Sequence, residues 1–319
     1  MSRSSARCLY CHEALEAEED FHARCSLKFF GSRQPPALEY KLAEMEKLAA
    51  KVLRSHTAIP GVQSKIPLDL EKASGPGKTG RLTLVGLWGR FILKPPTTKY
   101  PHLPEIEDAT MRLAAVAGLP IVPHALIRLA SGELAYITRR IDRTGTGKLA
   151  MEDLCQITGR LTEDKYKGSL EATGKAIRMH STQPGLDAIN FFELALFCFL
   201  TGNADMHLKN FSLWRPLEDE VQMTPAYDLL ATKLVLAKDE EETALTLNGK
   251  KKNLRRKDYD ALASNLRLPE KARDNSYARL LGMRQAWKDD LGKSFLTAPV
   301  RKRYLALLDE RIGRLKSRG

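Results

Sequence analysis

Two carboxylates and an amide in the second half of the chain have the types and spacing that phosphoryl transfer requires. Asp205 and Asn210 lie five positions apart in the segment TGNADMHLKNFSL (201–213), and Asp228 follows eighteen positions after Asn210. In a D-x-x-x-x-N loop the carboxylate orients a hydroxyl nucleophile and the amide binds a metal ion. A second carboxylate further along the chain could bind the Mg²⁺ ions that bridge nucleotide phosphates. The spacing therefore indicates a catalytic loop and its metal ligands.

A basic and an acidic residue upstream extend this pattern. Lys94 ends the segment FILK, which favours a strand, and Glu107 lies in the next predicted helix. A lysine on a strand can reach the α- and β-phosphates of a nucleotide, and a helix glutamate can hold its ammonium group in an ion pair. Each feature alone is common by chance. Their joint order favours phosphoryl transfer.

Four candidate metal ligands lie close together near the N-terminus. Cys8 and Cys11 form one pair and His22 and Cys25 a second, with ten residues between the pairs. Three thiols and an imidazole suit tetrahedral structural zinc, and four protein ligands leave no position open for catalysis. Such a metal would supply folding free energy to a segment with few apolar residues. The alternative is three reduced cysteines beside an ordinary histidine, and the sequence leaves both interpretations open.

The composition indicates a folded, basic protein. The chain has 319 residues, of which 43% are hydrophobic, and a formal net charge of +12. This hydrophobic content excludes disorder as the overall state. The charge suits a polyanionic partner such as nucleic acid, nucleotide phosphates or an acidic protein surface. Because the sequence shows no run of 18 or more apolar residues and no secretory signal, we expect a cytoplasmic protein without a membrane span.

The elements that must position these residues follow from hydrophobic periodicity and turn signals. Strands are predicted at 81–88, at 90–96 and, as a pair joined by a turn at Ser131-Gly132, within 121–143. Helices are predicted at 37–53, at 104–117 and at 190–202. The last helix is apolar nearly all round and should form the core of its lobe. A strand-rich first half and a helical second half predict an α+β, two-lobed fold.

In several short segments the chain resembles the HipA-like kinases of bacterial toxin–antitoxin systems. The matching segments are IPGVQSK (59–65), FILKP (91–95), RRIDR (139–143), MEDLCQ (151–156), GNADMHLKNFS (202–212) and TPAYD (224–228). The resemblance implies a two-lobed protein-kinase-like fold and phosphorylation of protein serine or threonine with ATP and Mg²⁺. Known targets in that family include aminoacyl-tRNA synthetases, whose modification stops translation. The implied biological role is that of a toxin.

The resemblance also implies a role for individual residues of the second half. Asp205 would be the catalytic base, and Asn210 and Asp228 would hold Mg²⁺. His207 and Lys209, in the same loop, would lie near the transferred phosphoryl group.

A second set of residues would bind the nucleotide. The loop that covers the phosphates would use its backbone N–H groups, Lys94 would contact the phosphates and the RRIDR segment would form the hinge beside adenine. The implied nucleotide-binding residues are Gly61, Val62, Gln63, Lys94, Glu107, Arg139 and Ile141. On this basis we divide the chain into an N-terminal Cys/His segment (1–36), an N-lobe (37–138) and a helical C-lobe (139–319).

Two departures from the family pattern affect regulation and partners. Family members often carry an autophosphorylated serine just before the glycine of the phosphate loop, whereas this chain has Ala58-Ile59-Pro60-Gly61. A serine switch is therefore not expected. About 55 residues precede the loop, which suggests the shorter, split form of the family. In that form the N-terminal subdomain is a separate antitoxin protein, and a further, DNA-binding antitoxin completes the complex.

Two other functions fit part of the sequence. A DNA-associated pseudokinase subunit of a repressor complex is indicated by the basic runs Lys250–Lys257 and Arg301–Arg318. No helix-turn-helix is apparent, so DNA contact would occur only within a complex. A small-molecule kinase would share the D-x-x-x-x-N loop, but it gives no reason for the PGVQSK segment.

Overall fold

The computed structural model of the chain describes residues 7–16, 19–45, 47, 64–71, 80–85, 88–145 and 147–317. These residues fall into two units. The first unit comprises the described residues of Met1–Asp108, Val122–Gly145 and Lys293–Phe295, and the second those of Ala109–Ile121, Thr146–Gly292 and Leu296–Gly319. The expected phosphate loop, with Gly61, Val62 and Gln63, lies outside the described residues.

An antiparallel sheet dominates the first unit. Its elements are α1 (Ala23–Phe30), β1 (Ile66–Glu71), β2 (Arg81–Leu84), β3 (Phe91–Lys94), the start of α2 (Leu103–Val116), β4 (His124–Arg128) and β5 (Leu134–Arg139). The strand order is β2-β1-β3-β5-β4. The predicted β4–β5 hairpin is confirmed, and Gly132 adopts the left-handed backbone (φ 103°) that its turn requires. The central strand β3 ends at Lys94, which is buried.

The N-terminal segment packs on this sheet through aromatic residues. The rings of Phe29 and Phe30 lie 5.8 and 5.9 Å from that of Phe91 on β3. The backbone carbonyl of Leu9 accepts a hydrogen bond from Leu126 N–H at 3.0 Å, which attaches the segment to the edge strand β4. The segment therefore shares the hydrophobic core of the first unit.

The helix predicted at 37–53 begins later than expected. Residues 42–45 and 47 are helical, whereas Ala37 forms a parallel bridge with Arg81 on β2. The N–H of Ala37 donates to the Gly80 carbonyl, and the Ala37 carbonyl accepts from Leu82 N–H. Both backbone groups therefore pair with the edge of the sheet and are not available to a helix. The predicted helix start at 37 is wrong, because sheet pairing overrides local propensity. Residues 46 and 48–53 lie outside the described residues.

The second unit is mainly helical, as the sequence predicts. It contains the end of α2, and then β6 (Met151–Asp153), α3 (Leu154–Ile157), α4 (Leu170–His180), α5 (Pro184–Thr201), β7 (Ser212–Trp214), β8 (Gln222–Met223), α6 (Thr232–Val235), α7 (Arg256–Asn265), α8 (Glu270–Gly282), α9 (Arg284–Lys293) and α10 (Ala298–Lys316). The antiparallel sheet β6-β7-β8 was not predicted. Strands of two or three residues are too short to show a period of two.

Helix α5 forms the core of this unit. It begins six residues earlier than predicted, with Pro184 in its first turn, where a missing N–H costs nothing. From Phe191 to Thr201 every residue except Glu193 is buried. By length and composition alone α5 could cross a membrane, but 67% of it is buried within the fold, as in the core helix of a folded domain. The α+β class predicted from the sequence is confirmed.

Candidate active site

A glycine turn at the end of α5 positions the predicted catalytic loop. Gly202 has a left-handed backbone (φ 69°), and a Cβ atom there would lie 2.7 Å from Leu307 Cδ2 and 3.0 Å from Lys233 Cβ. Both the backbone and the lack of space favour glycine. The chain therefore leaves the rigid core helix abruptly, and the loop starts from a fixed point.

Buried polar contacts hold the first residues of this loop. Asn203 is buried, and its Oδ1 accepts a hydrogen bond from Asp205 N–H at 3.2 Å. The N–H of Ala204 donates to Thr232 Oγ1 at 2.8 Å. The backbone just before Asp205 is thus fixed from two sides.

Asp205 and Asn210 lie in the loop in which the sequence places them, and a hydrogen bond joins them directly. Asn210 Nδ2 donates a hydrogen bond to the backbone carbonyl of Asp205 at 3.0 Å, and His207 N–H donates to the same carbonyl at 2.9 Å. The Asp205 side chain is exposed, while Asn210 is buried. The loop thereby holds an accessible carboxylate beside an amide whose oxygen is not used by this bond.

A tyrosine from another segment holds the Asp205 carboxylate. Tyr166 O–H donates to Asp205 Oδ1 at 2.8 Å. Partial burial first, and then the negative charge of Asp205, raise the pKa of Tyr166 above its usual range, so the hydroxyl remains a donor at neutral pH. The buried His207 lies edge-on to the Tyr166 ring, with centroids 5.1 Å apart. His207 therefore packs behind the group that holds the carboxylate.

Lys209 forms an ion pair within the second unit. Its Nζ lies 2.6 Å from Asp153 Oδ2 at the end of β6. The other carboxylate oxygen of Asp153 accepts a hydrogen bond from Gln156 N–H at 3.0 Å, which caps α3. The cap fixes the orientation of Asp153, and Asp153 in turn fixes the ammonium group.

Asp228 follows a residue that is bonded to the catalytic loop. Tyr227 O–H donates to the backbone carbonyl of Lys209 at 3.1 Å and lies 2.6 Å from Ser212 Oγ. Asp228 itself has a left-handed backbone (φ 57°), which is uncommon for a residue other than glycine. Strained backbones of this kind cluster at functional sites. The structure thus anchors the start of the Asp228 turn to the loop of Asp205 and Asn210.

In the first unit the structure pairs Lys94 with Glu107, as predicted. Their side chains form an ion pair, with only 5% and 1% of each exposed. The Lys94 ammonium also lies 5.2 Å from the centre of the Tyr136 ring. The predicted hinge begins on the strand beside β3: Arg139, which pairs with Phe91, is exposed at the end of β5, and Ile141 is half-buried.

Sequence reasoning missed three residues that position the site. Asp153 and Tyr227 lie in the segments MEDLCQ and TPAYD. Both segments carry the family resemblance, but the sequence did not indicate a role for either residue. Tyr166 lies in no recognisable motif, and its contact with Asp205 spans 39 positions.

The four N-terminal metal-ligand candidates also come together. One ligand atom from each of Cys8, Cys11, His22 and Cys25 lies within 4.8 Å of all the others. Burial and the neighbouring thiols of Cys8 and Cys11 raise the pKa of the Cys25 thiol.

Comparison with known sequences identifies relatives of the chain. A family model described as the HipA-like C-terminal domain matches residues 57–287. "Putative kinase Y4dM" of Sinorhizobium fredii is 31% identical over 255 residues, which cover 76% of this chain and 60% of the relative. "Serine/threonine-protein kinase toxin HipA" of Shewanella oneidensis is 28% identical over 158 residues, which cover 43% of this chain and 36% of the relative. The chain thus spans less than two thirds of these curated relatives.

Comparison with solved structures identifies the fold. The "Shewanella oneidensis MR-1 Toxin Antitoxin System HipA, HipB and its operator DNA complex" matches with a TM-score of 0.70 and 20% identity, over 88% of this chain and 72% of that chain. The "Helicobacter pylori proinflammatory kinase CtkA" matches with a TM-score of 0.53 and 15% identity, over 78% and 93%. The predicted two-lobed, kinase-like fold is confirmed.

Proposed function

The chain belongs to the HipA-like C-terminal domain family, and we propose that it is a protein serine/threonine kinase that uses ATP and Mg²⁺. The observation that carries the proposal is the hydrogen bond from Asn210 Nδ2 to the Asp205 carbonyl at 3.0 Å. It holds an exposed carboxylate and an amide in one rigid loop, as phosphoryl transfer requires. A relative's name, "Serine/threonine-protein kinase toxin HipA", supports the choice of acceptor.

Asp205 would act on the substrate hydroxyl. Its carboxylate orients the hydroxyl oxygen for attack on the γ-phosphorus and accepts the proton. The new P–O bond forms as the bond from the γ-phosphorus to the bridging oxygen breaks, and that oxygen leaves on ADP. Tyr166 fixes Oδ1 of that carboxylate. His207 acts through Tyr166, whose ring it packs against.

Lys209 would stabilise charge on the transferred phosphoryl group. An ammonium group held in advance by Asp153 does not have to be ordered during the reaction, and such preorganised charge is the main electrostatic source of rate acceleration. Asp153 is a positioning residue in this scheme, because it acts through Lys209.

The donor set of Asn210 and Asp228 fits Mg²⁺. An amide oxygen and a carboxylate are hard oxygen ligands, which Mg²⁺ prefers over nitrogen or sulfur. When bound, Mg²⁺ would neutralise negative charge on the nucleotide phosphates. The chain itself would hold the two ligand residues in place. Asn210 is held by its bond to the Asp205 carbonyl, and Asp228 follows Tyr227, which is bonded to the Lys209 carbonyl.

Lys94 would contact the phosphates of ATP, as the family resemblance implies. Its ion pair with the buried Glu107 holds the ammonium group in place. Gly61, Val62 and Gln63 would cover the phosphates, and Arg139 and Ile141 would lie beside adenine, as the family resemblance implies.

We further propose that the biological role is that of a toxin in a toxin–antitoxin system. The relative from Shewanella is named as a toxin, and the matched structure is of a complex with HipB and operator DNA. A separate small antitoxin and a DNA-binding antitoxin would be the partners here. The substrate would be a translation component in the cytoplasm, such as an aminoacyl-tRNA synthetase.

The basic runs give little support to a role in DNA binding alone. Three lysines of the first run form ion pairs: Lys250 with Asp258 at 2.6 Å, Lys251 with Glu241 at 3.3 Å and Lys252 with Glu240 at 3.0 Å. In α10, Arg311 and Arg314 both pair with Glu242, at 2.9 and 2.6 Å. These five basic residues thus have acidic partners within the fold.

Incubation of the purified chain with labelled Mg²⁺-ATP and a bacterial extract tests the proposed activity. Asp205→Asn removes the base, and Asp219→Asn removes an exposed carboxylate on the β7–β8 turn as a matched control. We expect one discrete protein band to be labelled by the native chain and by Asp219→Asn but not by Asp205→Asn. Mass spectrometry of that band identifies the substrate.

Two results would overturn the proposal. Nucleotide binding without labelling by any variant would indicate a pseudokinase. Labelling confined to small molecules would indicate a small-molecule kinase.

A further inference from the structure

The side chains of Cys8, Cys11, His22 and Cys25 are spaced as zinc ligands are spaced. His22 Nδ1 lies 3.3 Å from Cys11 Sγ and 3.7 Å from Cys25 Sγ. In a tetrahedral site with Zn–S of about 2.3 Å and Zn–N of about 2.0–2.1 Å, a sulfur and a nitrogen ligand lie about 3.6 Å apart. The cysteines are all free thiols, so no disulfide competes for them.

A backbone carbonyl orients the imidazole of His22 for metal binding. His22 Nε2 lies 3.0 Å from the carbonyl oxygen of Ala14, to which it donates its hydrogen. That bond leaves the lone pair on Nδ1, the atom that faces the thiols. Histidine ligands in zinc sites donate their second ring N–H to a carbonyl or carboxylate in the same way.

The four ligands lie in two turns that are fixed by backbone hydrogen bonds. In the first, His12 N–H donates to the Cys8 carbonyl at 2.9 Å and His12 has a left-handed backbone (φ 63°). In the second, Cys25 N–H donates to the His22 carbonyl at 2.9 Å at the start of α1. Leu9 N–H donates to the Asp20 carbonyl at 2.8 Å, which ties one turn to the other.

We propose that Cys8, Cys11, His22 and Cys25 bind one zinc ion as a structural site of the first unit. Each cysteine binds as a thiolate, so zinc displaces up to three thiol protons into solvent and accepts a lone pair from His22 Nδ1. Four protein ligands close the coordination sphere, and the site takes no part in the transfer reaction. The proposal does not depend on the proposed kinase activity.

The metal would also stabilise a contact of α2. His12 follows the ligand Cys11 directly, is fully buried, and its Nε2 lies 3.0 Å from Asp108 Oδ2. Asp108 follows Glu107, the partner of Lys94. Zinc would therefore fix the turn that carries His12. Through Asp108, that turn contacts α2 next to Glu107.

The metal content and the cobalt spectrum of the full chain test the proposal. The chain is expressed with added zinc, purified without chelator and analysed by inductively coupled plasma mass spectrometry. We expect one zinc per chain in the native protein and in the control Cys155→Ser, whose thiol lies in the second unit. His22→Ala and Cys25→Ser should lose the metal, while His22→Cys should retain it.

Cobalt substitution keeps the test decisive where a variant fails to fold. Co²⁺ added to the native apoprotein should give a thiolate-to-cobalt charge-transfer band and the visible bands of tetrahedral cobalt, and zinc should abolish both. His22→Cys should increase the charge-transfer intensity, since a fourth thiolate is added. A native chain without zinc and without these bands overturns the proposal. So does stoichiometric zinc that persists in a folded Cys11→Ser/Cys25→Ser variant.

Discussion

The ammonium group of Lys209 lies 2.6 Å from the carboxylate of Asp153, which also caps helix α3. One side chain thus serves a helix terminus and a residue of the catalytic loop. Because the cap restrains Asp153, the position of Lys209 depends on a local motif 56 positions away in sequence.

Asp153→Asn should reduce phosphoryl transfer without unfolding the protein. Asparagine caps helices as well as aspartate does, so α3 remains intact while Lys209 loses its counter-charge. We expect kcat to fall about ten- to a hundredfold, the cost of a displaced catalytic group. The midpoint of thermal unfolding should change little. The exposed neighbour Glu152, changed to Gln, serves as the control and should leave kcat unchanged.

The comparison with Lys209→Ala separates positioning from a purely structural role. If Asp153 acts through Lys209, the double variant Asp153→Asn/Lys209→Ala should have the same kcat as Lys209→Ala alone. The effects of two substitutions on kcat are not additive when the residues act as a unit. Additive losses in kcat would show that Asp153 acts by another route.

Glu107→Gln should destabilise the first unit strongly. The Lys94 and Glu107 side chains are buried, and the variant removes the counter-charge that Glu107 provides. Removing one partner of a buried ion pair costs about 3–5 kcal/mol. Urea denaturation should show this loss, and Lys94→Met/Glu107→Gln, which removes both charges, should recover most of it. Nucleotide binding should remain impaired in the double variant.

An exposed ion pair on the same sheet provides the control for this measurement. Arg81 and Glu71 pair at 2.8 Å with about half of each side chain exposed. Exposed pairs contribute little, so Arg81→Gln should leave the denaturation midpoint nearly unchanged. Equal effects of Arg81→Gln and Glu107→Gln would contradict the role assigned to burial.

Local sequence signals predicted the elements that carry the site. Helix α2 has Pro104 in its first turn and Gly118 just beyond its end, and the prediction of 104–117 differs from the observed bounds by one residue at each end. The strands predicted at 81–88 and 90–96 exist but are shorter. Spacing within one loop was enough to place Asp205 beside Asn210.

Contacts between distant segments were not predictable from spacing. The partners of Asp205 and Lys209 lie 39 and 56 positions away in the sequence. Hydrophobic periodicity predicts helices and strands, but it does not predict which distant residues come into contact. Ala37 shows the same limit, since the strand edge that it joins lies more than 40 positions further along the chain. Tertiary packing decides these positions.

The protonation of Tyr166 should depend on the charge of Asp205. Partial burial and the Asp205 carboxylate raise the pKa of Tyr166 above the ordinary value of about 10. Because the folded-state pKa is raised, this contribution to stability is fully present below pH about 10 and is lost as pH rises through the folded-state pKa. Asp205→Asn should lower the pKa of Tyr166 towards the ordinary value, while burial keeps it somewhat higher.

Carbon-13 NMR of the tyrosine Cζ atoms measures this titration, with the Tyr166 resonance assigned by Tyr166→Phe. Asp219→Asn should leave the titration unchanged. A higher pKa of Tyr166 in Asp205→Asn than in the native chain would contradict the hydrogen bond as the source of the coupling.

Two glycines in the second unit should respond in opposite directions to alanine. Gly202 has a positive φ, and a Cβ there would overlap Leu307 and crowd Lys233, whereas Gly313 lies in α10 and a Cβ there would meet nothing within 4 Å. Gly202→Ala should destabilise the protein by about 1–3 kcal/mol through overpacking and a strained backbone. Gly313→Ala should stabilise it by about 0.5–1 kcal/mol, because alanine loses less backbone entropy in a helix.

Activity distinguishes these two glycines further. Gly202 starts the loop that carries Asp205 and Asn210, so Gly202→Ala should also lower kcat at temperatures where the protein remains folded. Gly313→Ala should leave kcat unchanged. Since both substitutions add one methyl group to the same unit, a loss of stability without a loss of kcat in Gly202→Ala would show that the turn supports the core of the unit and does not set the geometry of the catalytic loop.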